Sequence, residues 1–247
     1  MNAKFIFSVI VVAVLSMGTS YTLAGNDREN DFHRVQIGVS FSPNYCYRTL
    51  KGNRENTFYD LRNEREEARF GYNGGFNISF NVNKMFGIGS GIQYSDKGFR
   101  TGKGYWLSEF PDLNPDYFLD VWHITIHRFH YIEIPLKAQF SIGGEKVRFL
   151  SGIGFTTGFL VKATNTIQSN VREDMLSNDT EKYNRINLFP TMSIGIDYKI
   201  TPKSSIRIEP TFWYGLLNTF KSMKESGFIS EYLWSAGVNV SYLVGIK

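Results

Sequence analysis

Eight separate stretches of this chain alternate apolar with polar or small side chains at a period of two, and no other feature limits the fold so strongly. Val35, Ile37, Val39 and Phe41 share one face, with Gln36, Gly38, Ser40 and Ser42 on the other. The same split recurs over residues 72–82, 86–94, 132–142, 147–156, 188–200, 206–216 and 234–242. Successive side chains of a strand point to opposite faces, so each stretch reads as a β-strand with one apolar and one polar face.

The spacing between the strands carries the second constraint. Short connections fall at 83–84, 143–146 and 201–204, and long ones at about 47–69, 97–120, 164–186 and 218–231. Short turns therefore gather at one end of the sheet and long loops at the other. That sidedness, with 16% aromatic residues, 23 glycines and a mean hydropathy of −0.23, does not suit an ordinary soluble sandwich. It suits an all-β, eight-stranded antiparallel up-and-down transmembrane barrel with short periplasmic turns and long extracellular loops. In lipid every backbone N–H and C=O must be paired within the protein, so a sheet with one polar face spans only by closing on itself, polar face inward.

Export is legible at the N-terminus. Lys4 precedes an apolar run over residues 5–17, followed by Gly18, Thr19 and Ser20, and Thr22-Leu23-Ala24 places small residues where a signal peptidase reads. The run falls short of the ~20 residues of a spanning helix. We expect a signal peptide over 1–24 cleaved after Ala24, a short periplasmic segment over 25–34 and the barrel over 35–247. Gly25 follows the cleavage point and gives a lipid nothing to attach to. Lone Cys46 has no cysteine partner and reads as a wall or rim residue. Among 27 basic and 23 acidic residues no basic cluster occurs, which excludes nucleic acid as a partner.

Eight strands enclose an interior that side chains nearly fill, in keeping with the glycine, serine, asparagine and threonine of the inward face. The same face carries Glu133, Lys137, Arg148, Asp197, Arg207 and Glu209. Buried charges are tolerable only when paired, so these six are expected to form an ion-pair network that plugs the lumen rather than gates it. Phe41, Tyr94, Tyr198, Tyr214, Trp234 and Tyr242 face outward near strand ends, the place of interfacial aromatics. Pro135 and Pro210 are expected to mark bulges or widened rungs of the ladder.

Three segments resemble the PorT-like outer-membrane barrel family: Ser95-Asp96-Lys97-Gly98-Phe99, Tyr131-Ile132-Glu133-Ile134-Pro135-Leu136 and Tyr214-Gly215-Leu216-Leu217-Asn218. The glycine-rich stretch 152–158 adds to the likeness. It implies an eight-stranded porin-family barrel associated with protein secretion, with Lys97, Gly98, Tyr131, Glu133, Pro135, Tyr214, Gly215, Leu216 and Asn218 at motif positions. The chain departs from the pattern at Thr211, where a basic lumen residue is expected, and at its end, where Gly245-Ile246-Lys247 replaces a terminal aromatic.

Chemistry finds few candidates. His123, His127 and His130 lie on an apparent upward extension of the fourth strand. There, four residues span roughly 13 Å and His130 points to the opposite face, so one metal does not reach all three. Ser108, Glu109, Asp120, His123 and His127 supply nucleophile and acid-base types at the rim, without a recognisable catalytic spacing. No catalytic, metal or cofactor site is therefore assigned. Arg54-Glu55 and Glu64-Arg65-Glu66-Glu67, flanked by Arg62 and Arg69, read as a solvated loop. Arg69, Arg100, Lys103 and Arg128 are placed to meet phosphates of outer-membrane lipids such as lipopolysaccharide. Three functions follow in order of preference: a structural or assembly barrel with envelope or secretion-machine partners, a narrow porin, and a lipid-modifying rim enzyme.

Overall fold

A computed structural model of the chain describes residues 33–52, 57–105, 122–170, 172–221 and 229–246. The expected signal peptide lies outside the described residues. Ten strands appear among the described residues, in chain order: β1 (Val35–Lys51), β2 (Glu66–Asn81), β3 (Phe86–Thr101), β4 (Gly104–Tyr105), β5 (Trp122–Gly143), β6 (Val147–Ser169), β7 (Met175–Asn178), β8 (Ile186–Thr201), β9 (Ser204–Tyr214) and β10 (Ser230–Ile246). Among the described residues one α-helix, α1 (Thr57–Arg65), lies between β1 and β2.

The eight long strands pair as a ring. Pairing runs antiparallel from β1 through β2, β3, β5, β6, β8 and β9 to β10, which pairs with β1 again over Val35↔Ile246 to Lys51↔Ser230. Short β4 adds to β5 and short β7 to β6 above the ring. Turns at residues 82–85, 144–146 and 202–203 gather at one end. At Gly143, which opens the second of them, φ is +144°. A side chain there would be strained whatever the space around it.

The strands run further than the sequence pattern indicated. β5 has 22 residues and β6 has 23, where crossing a bilayer takes ~9–11. Both ends of the expected loop at 47–69 and the starts of those at 97–120 and 164–186 are strand instead, since β1 reaches Lys51, β2 starts at Glu66, β3 reaches Thr101 and β6 reaches Ser169.

The physical reason is a change of solvent along each strand. In the half nearer the short turns, outward positions are apolar and exposed, as at Ile88, Ile92, Leu136, Ile134, Phe155 and Val240. In the outer half the assignment reverses. Phe129 and Tyr131 turn inward and are buried, while Arg128, just beyond Phe129, faces out and is exposed. Phe99, Leu160 and Leu233 repeat this on β3, β6 and β10. Lipid asks for apolar residues outside, whereas water asks for them inside. Tyr72, Tyr94 and His130 mark the crossing, Tyr94 stacking on His130 with ring centroids 5.9 Å apart. The lower belt holds Phe86 against Phe140, at 5.2 Å.

Prolines open the ladder without shifting it. Pairing between β3 and β5 passes from Ser90↔Leu136 to Gln93↔Glu133, skipping the rungs around Pro135 in unchanged register. Pro210 leaves the same gap between Ser193↔Thr211 and Ile196↔Ile208, and Pro43 another between Phe41↔Val240 and Asn44↔Gly237. These are widened rungs, since proline has no N–H to give. The register shifts lie elsewhere, at Ala68/Tyr72, His130/Tyr131 and Lys199/Thr201.

Leu136 faces out midway between the belts, so a charge there meets the centre of the hydrocarbon. Leu136→Arg should cost ~2–4 kcal/mol of stability, read as a lowered midpoint of urea unfolding from lipid vesicles.

Candidate functional site

The interior of the ring divides into tiers. Nearest the short turns, Arg207 Nη2 lies 3.0 Å from Asp197 Oδ2 and its Nη1 donates to Gln139 at 3.3 Å. Above them Lys137 Nζ stands 4.0 Å from Glu209 Oε1, which also accepts from Ser193 at 3.1 Å. Around these residues is a polar cavity with about 30 Å³ open to the centres of water molecules, enough for two or three. Gln93, Thr156, Thr211 and Trp213 are among its walls.

The next tier closes it. Glu133, fully buried, forms an ion pair with Lys97 Nζ and accepts from Ser95 Oγ at 2.8 Å and Asn73 Nδ2 at 3.4 Å. Lys97 lies 4.3 Å from the Phe189 ring and 5.7 Å from Trp213, both within cation–π range. Tyr131 meets Phe189 edge-on at 5.8 Å. A Cβ on Gly215 would come within 3.3 Å of the Phe189 ring, and one on Gly98, where φ is +143°, would strike the His127 carbonyl at 2.0 Å. All three signature segments thus converge on Phe189, a residue that no motif named.

Tyr131, Phe189 and Trp213 of this tier continue outward into an apolar core with Phe99, Phe129, Leu160, Ala163, Tyr183 and Leu233. A second charge cluster caps it. Arg48 Nε contacts Glu66 at 2.5 Å, Arg62 Nε contacts Glu66 at 2.6 Å and Arg62 Nη2 contacts Glu231 at 2.6 Å. Arg48 further donates to the Arg62 carbonyl at 2.9 Å, which ties α1 to the barrel wall. Burial works against the Arg62 cation, yet Glu231 and Glu66 outweigh it and raise the pKa above the usual arginine value. The stretch around Arg62 and Glu66 is thus no solvated loop but a buried latch.

Several sequence expectations change here. The six inward charges do not form one network: Glu133 pairs with Lys97, Lys137 with Glu209 and Asp197 with Arg207. Arg148 donates to Ser141 Oγ at 2.6 Å. Thr211 donates to the Glu209 carbonyl at 2.9 Å, and the cation facing Trp213 comes instead from Lys97 on β3. Cys46 sits inside, its Sγ donating to Asn44 Oδ1 at 2.8 Å. Pro135 lines the cavity and its carbonyl accepts from Ser90 Oγ at 2.9 Å. Tyr214 ends β9, so Gly215 and Leu216 leave the ring, their amides reaching Leu233 and Leu188 carbonyls at 2.6 and 2.9 Å. Asn218 accepts from the Glu231 amide at 2.9 Å.

His123 and His127 share the inward parity of β5, with the His127 ring stacked 4.6 Å from Phe99. His130 faces out, its Nδ1 2.7 Å from the Tyr94 hydroxyl. Among the described residues no group of three or more His, Cys, Asp or Glu is placed to hold a metal. Ser108, Glu109 and Asp120 lie outside the described residues.

Removing one partner of a buried pair leaves the other charge uncompensated. Lys97→Met should therefore destabilise the barrel by ~3–5 kcal/mol, while Lys97→Met with Glu133→Gln should recover most of that loss in the same unfolding assay.

Comparison with known proteins adds the lineage. No curated protein matches in sequence. Solved barrels align with the chain at low identity. Neisserial surface protein A shows 9% identity and a TM-score of 0.44 over 86% of this chain and 97% of its own. Ail of Yersinia pestis, in complex with the heparin analogue sucrose octasulfate, shows 12% and 0.37 over 85% and 99%. The Escherichia coli outer membrane protease OmpT shows 9% and 0.43 over 92% and 100%. Residues 23–221, about four fifths of the sequence, match the family described as outer membrane protein beta-barrel domain. The chain belongs to that family and is an outer-membrane β-barrel protein.

Proposed function

We propose that this protein is a membrane-embedded structural or assembly component of the outer membrane, associated with protein export, rather than a conduit or an enzyme. The observation that carries the reading is the filled outer half of the barrel. Polar space for water ends beneath the Lys97–Glu133 tier, and the apolar core and the Arg48–Glu66–Arg62–Glu231 cluster lie above it. A solute entering from the short-turn end meets Trp213, then Phe189 and Tyr131. A close-packed apolar interior does not pass ions without rearranging.

The convergence of the three signature segments on one tier supports placing the chain with the PorT-like, secretion-associated barrels. Residues that hold a plug together are those a scaffold must keep. The narrow-porin reading rests on the lower cavity alone, which holds two or three waters. A lipid-modifying rim enzyme finds no support in His127, which faces into the strand barrel beside Phe99, or in His123, which shares its inward parity on β5.

Two readouts on one preparation test the proposal. Protein extracted from native membranes in mild detergent should carry a stoichiometric envelope protein with it. The same barrel in planar bilayers should hold the baseline current. Ohmic single-channel steps from a barrel that purifies alone would replace the proposal with the porin.

A further inference from the structure

Of the four rim cations that the sequence offers to lipid phosphates, three are engaged elsewhere. Arg69 makes a bidentate pair with Asp96 at 2.9 and 2.7 Å, Arg100 reaches Glu67 at 3.1 Å, and the Lys103 ammonium sits 5.1 Å from the Trp122 ring. Arg128 is exposed and makes no ion pair among the described residues. A cation that the sequence pattern gave no reason to pick joins it. Lys162 on β6 stands opposite His130 on β5, and Arg128 stands opposite Thr164, so Arg128 and Lys162 are diagonal cross-strand neighbours about 7–8 Å apart. Lys162 is likewise exposed and makes no ion pair among the described residues.

The bulge at His130/Tyr131 makes this pairing possible. Strand β6 inserts one extra residue there, and both Val161 and Lys162 are exposed while Leu160 and Ala163 turn inward. Without the insertion, alternation from Leu160 would send Lys162 into the apolar core.

Height decides what the pair meets. Lys162 stands level with His130 in the Tyr94 and His130 belt and Arg128, opposite Gly98, just beyond it, where the outward face stops being apolar. Headgroups occupy that level. The nearby carboxylate Asp96 is already neutralised by Arg69, which leaves the patch positive.

The geometry points to a headgroup site on the outer wall, in which Arg128 and Lys162 together hold a phosphate of a phosphorylated glycolipid of the outer leaflet. The Tyr94 and His130 rings lie beneath it at the acyl boundary. This inference rests on the outer-membrane placement and not on the scaffold reading, so either stands if the other falls.

Native mass spectrometry of the full protein in detergent, incubated with bis-phosphorylated lipid A or with the same lipid stripped of phosphate, tests it. The wild type should retain the phosphorylated lipid selectively. Arg128→Gln with Lys162→Gln should retain it roughly thirtyfold less, about fivefold for each lost charge. Arg100→Gln with Lys103→Gln should bind as the wild type does. Heat-modifiable gel migration confirms that each variant is folded. Equal retention by the Arg128/Lys162 variant, equal retention of the stripped lipid, or displacement of the lipid by an equal concentration of inorganic phosphate would each overturn the site.

Discussion

The backbone has no water to bond with inside a bilayer, and every feature of this chain follows from how that demand is met. A ring of strands pairs each N–H and C=O with a neighbour and leaves no edge. The pairing of β10 back onto β1, through residues as far apart in sequence as Val35 and Ile246, closes it. Closure then fixes a narrow interior, and a narrow interior restricts what each inward side chain can be. Glycine, serine and threonine leave the lower half room for a little water. The larger Trp213, Phe189 and Tyr131 fill the next tier.

Once the strands leave lipid the same ring obeys the opposite rule. Above the Tyr94 and His130 belt the wall is wet on its outer face, so the stabilising apolar area has to lie inside. Phe99, Phe129, Leu160 and Leu233 supply it, and the outer half of the barrel becomes a water-exposed barrel with an ordinary core, continuous with the membrane span below. Two of the buried charge clusters sit at the boundaries of that core. Lys97–Glu133 lies beneath it, and Arg62, holding Glu66 and Glu231, lies across its top. A buried pair contributes little net stability but tolerates no substitute geometry, which suits residues that fix where a helix such as α1 docks.

Membrane spans were legible in the sequence because lipid imposes one sign on every second residue, as in Ile88, Ile92, Ile132, Ile134 and Val240. The extensions were not, because the apolar parity reverses within a single strand: Ile132 faces out and Tyr131 and Phe129 face in, so the alternation loses contrast where it changes sense. Inward charges could be found by parity, but their partners could not. Glu133 meets Lys97 across 36 positions and Arg62 meets Glu231 across 169, and spacing alone predicts neither. Lys162 faces outward only because a bulge resets its parity, and a bulge leaves no mark in the pattern. Asp197 and Arg207, ten positions apart across one short turn, were within reach of sequence reasoning and appear as a pair.

The central claim is that the strands continue as paired, packed structure well beyond the lipid. Backbone hydrogen exchange of the protein in lipid nanodiscs measures it directly. Amides over residues 124–131 and 160–167 should exchange as slowly as those over 132–140, since both stretches belong to one ladder with a covered interior. Exchange of the outer stretches at the rate of open loops, with protection confined to the span between the belts, would contradict it.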